Sequence, residues 1–300
     1  MHGLRGHMEF FLFLPQMRLS FESLVAKAQA AEAAGFAGMA GMDHLTPPGA
    51  DAHPMYEAMI TNTWIAAHTQ RLKVGSLVQC DALRHPAVLA KEAVSLDHAS
   101  GGRFELGIGW GSYTNDFANF GVAPAEPRDR VRRLRETLEV LQALWAGETV
   151  NYDGEFHRLR GALQMPKPLN KIPITVGGAG PKTLTIVRDF ADWWNLDLRH
   201  RDKFEGEKFE QARQQVGNVR ISIQHMVAYV PPGGDRNAIA EAATRRFGYS
   251  SPAVGTGSEL VDYFGRFSKH GIARVYIWFC DFAAPETLAG FGNEVIAKLR

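Results

Sequence analysis

Three stretches of the chain carry residue types whose spacing could do chemistry. Asp43-His44 closes a short apolar run, Gly107-Ile108-Gly109-Trp110-Gly111 ends a second, and Gly177-Gly178-Ala179-Gly180 ends a third, just before Pro181. A histidine at a strand end is placed to move protons near neutral pH. Glycines 177–180, with a helix starting on Pro181, would leave backbone amides and a helix dipole free for a phosphate; an ordinary structural turn is the other reading. The G-x-G-x-G of 107–111 bares the main chain to a flat ligand, although a crowded rim that merely tolerates glycine explains the same residues. Together the two clusters suggest a phosphorylated planar cofactor, with Asp43 and His44 as the candidate catalytic pair.

Competing chemistries fit less well. The 107–111 spacing is not the G-x-G-x-x-G of a dinucleotide fold, and no amphipathic helix follows at once. There is no H-E-x-x-H, no H-x-H on the first strand and no G-x-S-x-G, so neither a metal site nor a serine nucleophile is expected. A formal charge of +1 gives no footprint for nucleic acid. The arginines at 128, 130, 132, 133 and 135 alternate with apolar residues and read as a solvated helix face. Membrane association is not expected, because no apolar run reaches the length of a span. Cys80 and Cys280 stand far apart and suggest neither a disulfide framework nor a metal site, which fits the cytoplasm.

The elements that must position these residues alternate. Strand-like runs are expected at 10–14, 38–42, 72–79, 103–109, 172–177, 193–196, 219–227 and 274–279, with helical patterns between nearly all of them. Eight strand–helix units in 300 residues predict an α/β fold of the closed (β/α)8, or TIM barrel, kind; a doubly wound open sheet is the alternative. One domain is expected over 8–300, with 1–7 an N-terminal extension that lacks the apolar core of a signal peptide. The stretches 45–55, 110–128, 147–170 and 248–257 read as loops, three of them insertions at the mouth of the barrel. The orientation of His225, within the seventh strand, is not fixed by its sequence context.

The stretch LRHPAVLAKEAVSLDHASGGRFELGIGWG (83–111) resembles the signature region of the bacterial luciferase-like oxidoreductases, a (β/α)8 superfamily. FFLFLPQ at the first strand, MDH at the second, IPITVGGAGPKTL and DWWN at the fifth and sixth, and GSELVDYFGRF with GIARVYIWF near the end extend the likeness over almost the whole chain. The resemblance implies FMN, or its 5-deaza relative coenzyme F420, bound at the barrel mouth. It implies that Gly107, Gly109 and Gly111 admit the ring, that Trp110 borders it, and that the amides of Gly177, Gly178, Ala179 and Gly180 hold the phosphate. A non-prolyl cis peptide is implied between Leu77 and Val78, bracing the ring. The Asp43-His44 pair favours F420 and hydride transfer to or from a small-molecule substrate, with His44 as proton donor.

The alternatives are an FMN-dependent monooxygenase supplied by a partner flavin reductase, and a non-catalytic flavin-binding protein. Sugar-phosphate dehydrogenases of the superfamily carry a glutamate where this chain has Ser112, which puts that role in doubt. Asp192-Trp193-Trp194 replaces the superfamily's usual D-G-W, so a bulky ring stands where glycine is common. A homodimer through the helices near 56–69 and 86–99 is also implied. Pro47, Pro48, Tyr113, Phe117 and Phe120 in the insertions suggest a mostly hydrophobic substrate.

Overall fold

Eight parallel strands close on themselves in the computed structural model, which describes residues 8–122, 126–197, 206–248 and 251–300. The extension expected at 1–7 lies outside the described residues. The first half of the chain gives β1 (Glu9–Phe13), α1 (Phe21–Ala33), β2 (Gly38–Gly41), α2 (Ala58–Ala67), β3 (Lys73–Ser76), β4 (Gln79–Cys80), α3 (Pro86–Ser100), β5 (Phe104–Gly109), α4 (Thr114–Phe120) and α5 (Pro127–Trp145). The second half gives the hairpin β6 (Val150–Asp153) and β7 (Arg158–Ala162), then β8 (Ile174–Gly177), α6 (Pro181–Phe190), β9 (Trp193–Asp197), α7 (Glu207–Val216) and β10 (Arg220–Tyr229). α8 (Arg236–Phe247), β11 (Ala253–Gly255), α9 (Gly257–Lys269), β12 (Ile272–Phe279) and α10 (Pro285–Phe291) complete it. The ring runs β1-β2-β3-β5-β8-β9-β10-β12 and closes where β12 pairs β1 in parallel. This is the TIM barrel expected from the alternation, not the open sheet.

Local chemistry sets the boundaries. Ser20 caps α1 by accepting from the Ser23 amide, and α3 opens on Pro86 and closes on Gly101 in the left-handed region. Thr256 and Glu259 form a reciprocal capping box at the start of α9. Two stretches read as loops hold strands instead. The 147–170 segment contains the β6–β7 hairpin, and β11 pairs β10 in parallel.

Alternation along each strand sends every second side chain into the barrel. Phe11, Phe13, Ala40 and Tyr276 pack there, with Met42, Leu77 and Trp278 against them. Below them the floor is ionic. Arg274, wholly buried, grips Glu9 at 2.5 Å and Glu105 at 2.5 Å, and Lys73 lies 3.1 Å from Glu105. The indole of Trp193 lies 3.8 Å from the Arg274 guanidinium and 4.0 Å from that of Arg220. The bulky ring in place of glycine is therefore part of a cation–π stack that fills the closed end. The opposite end, where the strands finish, is left open.

Candidate active site

A cavity of about 640 Å³ occupies that open end, bounded by the C-terminal ends of the strands and the loops that leave them. Asp43 and His44, side by side in sequence, turn to different partners. Asp43 is buried, and the fork of Arg84 donates to both its oxygens at 2.6 and 3.0 Å; the Cys80 amide donates to it at 2.8 Å. Its carboxylate therefore ties the end of β2 to β4 and to the approach of α3, and acts as a brace.

His44 is held by a residue that the sequence reading missed. Nδ1 lies 2.9 Å from Oδ2 of Asp116, a carboxylate 2% exposed in the first turn of α4. The second oxygen of Asp116 accepts from the amide and hydroxyl of Thr46, at 3.3 and 3.4 Å. An ionised carboxylate can only accept, so beside it Nδ1 carries the proton and Nε2 keeps the lone pair. Tyr113 meets the imidazole edge-on, with ring centroids 5.3 Å apart. The side chain keeps about a quarter of its surface open.

The glycines divide by function. A Cβ on Gly107 would run into the carbonyl oxygen of Ser76, and one on Gly109 would come within 2.8 Å of Val78 Cγ2. These two glycines clear space for the segment joining β3 to β4, where the Leu77–Val78 peptide is cis. Gly107 lies a layer below the cavity, whereas Leu77, Val78 and Gly109 border it. Gly111 has φ +75°, and its carbonyl accepts from Arg130 Nη1. The Arg130 guanidinium sits over the rings of Trp110 and Phe117, at 5.0 and 5.5 Å. Trp110, which borders the cavity, is thus backed by a buried cation. Arg130 and Arg133, whose Nε donates to Asp81 at 2.8 Å, do not lie on the solvated helix face expected for the arginine run.

At the other cluster, Gly177 has nothing closer to a would-be Cβ than the Asn195 carbonyl at 4.0 Å, so its bareness opens space into the cavity. Gly178, at φ +121°, donates to Asn195 O at 3.2 Å and accepts from Trp194 Nε1 at 2.7 Å. Trp194 stacks on Phe209 of α7 and braces this loop from behind, outside the barrel. Gly178 and Ala179 border the cavity, while Gly180 sits at the N-cap of α6 and does not. A phosphorylated cofactor would find room for its ring at the bare edge of Gly177 and would draw on the amides that open α6 for its phosphate, whereas the Gly178 amide, expected to share that role, is already given to Asn195.

His225 borders the cavity, but its imidazole is engaged by α9. Its Nε2 lies 2.7 Å from the Tyr263 hydroxyl and its ring stacks on Tyr263 of α9. Cys80, at the cavity edge, has its thiol pushed up to about 11 by burial, with Asp43 and Asp81 adding to the shift, so it stays protonated at neutral pH. Among the described residues, no three histidine, cysteine or acidic side chains converge as metal ligands. No helix among them is long and apolar enough to cross a membrane.

Known proteins share both sequence and architecture with this chain. It is 32% identical over 166 residues to the F420-dependent glucose-6-phosphate dehydrogenase of Nakamurella multipartita, a match covering 55% of this chain and 49% of that protein. The chain spans about half the length of the curated relatives it matches. An F420-dependent secondary alcohol dehydrogenase, solved with an F420-acetone adduct, superposes with a TM-score of 0.83 at 18% identity, over 98% of this chain and 99% of that one. The oxygenating constituent of 3,6-diketocamphane monooxygenase from Pseudomonas putida, solved with FMN, superposes at 0.79 with 17% identity, over 97% and 99%. The family model for luciferase-like monooxygenases matches residues 8–271, and the chain belongs to that family.

Proposed function

We propose that this protein is an F420-dependent oxidoreductase that passes a hydride between the deazaflavin and a small organic substrate. The observation that carries the reading is the His44–Asp116 pair. It presents a nitrogen of fixed tautomer to the cavity that the Val78 bulge and the 177–179 loop also border. The bound deazaflavin supplies a two-electron hydride carrier, which leaves proton movement to the protein. Oxidation of an alcohol releases a hydride from carbon and a proton from oxygen; His44 Nε2 takes that proton, and returns it in the reverse direction. Asp116 holds the imidazole in register and balances its charge once protonated. Curated relatives named for F420 support this cofactor.

The FMN-bound neighbour favours a second reading on the same fold, an FMN-dependent monooxygenase that needs a partner flavin reductase. Titrating purified protein with F420 and with FMN, followed by cofactor fluorescence, separates the two. Saturation at one equivalent of F420, with FMN at least about tenfold weaker, is expected; the reverse order moves the function to oxygen chemistry. Gly177→Val is expected to weaken F420 binding about tenfold or more, because its backbone accepts any residue and the new side chain fills cavity space. Unchanged affinity would remove Gly177 from the cofactor site. Tight binding without turnover on any donor–acceptor pair would identify a non-catalytic flavin-binding protein. Two free thiols, Cys80 and Cys280, support a place in the reducing cytoplasm.

We also propose a homodimer through α2 and α3. Among the described residues, Tyr56, Ile60, Trp64 and Val88 expose large apolar side chains on these helices and their approach, and Leu45 adds to them. Leu163, Met165 and Leu169 extend the patch, because their segment runs along α3: Lys91 Nζ donates to Met165 O, and the Leu169 amide to Asp97. Phe120 and Phe282 are the other large exposed apolar side chains among the described residues, so the concentration near α2 and α3 is what a self-complementary interface needs. Trp64→Glu is expected to weaken self-association about 100-fold or more in sedimentation equilibrium. A wild-type chain that sediments as a monomer at micromolar concentration overturns the proposal.

A further inference from the structure

Much of the cavity lining is apolar and adaptable, with Gln79, Asn195 and Gln224 among its polar members. Met17 after β1, Met42 beyond β2 and Met226 of β10 converge there with Phe13, Leu77 and Trp278. Methionine is unbranched and polarizable, so a wall of three such side chains from three elements can follow substrates of different shape. The charged side chains that border the cavity among the described residues are Asp43 and Asp116, apart from any protonated His44. Both carboxylates are engaged, by Arg84 and His44 respectively. No lysine or arginine borders it among those residues; Arg199, Arg201 and Lys203 lie outside them.

We infer that the substrate is an uncharged molecule with a predominantly apolar body and a single alcohol or carbonyl oxygen, which meets His44 Nε2 while the methionine wall holds the body. The inference rests on the oxidoreductase reading above and narrows it to a substrate class. An anion in this position loses its hydration, finds no described cation and faces the Asp116 carboxylate. Glucose 6-phosphate, a dianion, finds no cation for its phosphate among the described residues that border the cavity.

The test is a matched pair of probes, cyclohexanone and oxocyclohexanecarboxylate, with glucose 6-phosphate as a third. Binding is read from the emission of Trp110 and Trp278, which border the cavity, on protein saturated with whichever cofactor it takes and on cofactor-free protein. The neutral ketone is expected to bind about 100-fold or more tightly than its carboxylate. Met226→Lys is expected to narrow that ratio about tenfold or more, weakening the ketone and strengthening the acid. Equal or tighter binding of the acid or the sugar phosphate overturns the inference, as does failure of a graded series of neutral ketones to bind. The wild-type comparison stands if the variant does not fold. The readout needs no turnover, so failure of F420 to bind leaves this result intact, and a wrong substrate class leaves the cofactor titration unchanged.

Discussion

His44→Ala is expected to lower kcat about 10²–10⁴-fold while leaving the dissociation constant for the cofactor nearly unchanged. The separation follows from the geometry. Nδ1 is occupied by Asp116 and the ring packs edge-on against Tyr113, so the imidazole leaves Nε2 to the reacting space and supports neither the 177–179 loop nor the β3–β4 bulge. Asp116→Asn keeps the shape but can present an amide N–H to Nδ1, favouring the wrong tautomer, and is expected to cost about 10–100-fold in kcat. If the two act as one unit, the double variant is no slower than His44→Ala alone. Additive losses would show that Asp116 acts through something other than His44. Asp43→Asn provides the contrast. It loosens the Arg84 fork and the Cys80 amide, so its effect is expected in the melting temperature more than in kcat. Steady-state kinetics on the F420-loaded enzyme, with fluorescence titration of the same variants, distinguishes these outcomes.

The barrel was readable because each of its eight units repeats the same local signal, an apolar run followed by helical periodicity. The mouth was readable because glycines and a histidine fall at strand ends, where side chains and bare backbone meet solvent. What escaped was non-local. Asp116 stands 72 residues from His44, and nothing in the spacing of either distinguishes a partner from any other acidic residue in a loop. The purpose of Gly107 and Gly109 was hidden for the same reason, since it depends on where Ser76 and Val78 arrive from the neighbouring strand. The amphipathic spacing of 128–135 is identical whether arginines face water or reach inward. Contacts with Trp110, Phe117 and Asp81 decide that Arg130 and Arg133 reach inward. The hairpin did leave a trace, for Asp153-Gly154 is a turn signal between Tyr152 and Leu159, which pair across the strands. Trp193 left none: whether a β residue faces lumen or helix depends on register, and a slip of one residue reverses it.

Arg274→Met is expected to destabilise the barrel by about 3 kcal/mol, the lower end of the range for removing one partner of a buried ion pair. Two carboxylates, Glu9 and Glu105, depend on this guanidinium, and Trp193 and Phe11 stack on it at 3.8 and 4.0 Å. Lys73 stays within 3.4 Å of Glu9 and 3.1 Å of Glu105, so part of the compensation survives and the loss stops short of the upper end. Arg274→Lys restores charge but neither the fork nor the stacking, and is expected to recover about half. The pH dependence carries a sign. Burial by itself raises the Glu9 carboxyl, but Arg274 and Lys73 outweigh it and hold the group below its ordinary 4.5. A depressed carboxyl stabilises the fold above its unfolded value, and that contribution is lost as pH falls through the lower folded one. Without Arg274, burial is opposed by Lys73 alone, the Glu9 carboxyl rises, and the acid limb of the stability curve moves to higher pH. Urea melts of the three proteins between neutral and acidic pH measure both effects. Equal stability of wild type and Arg274→Met at neutral pH would show that the floor is held by its packing and not by its charges.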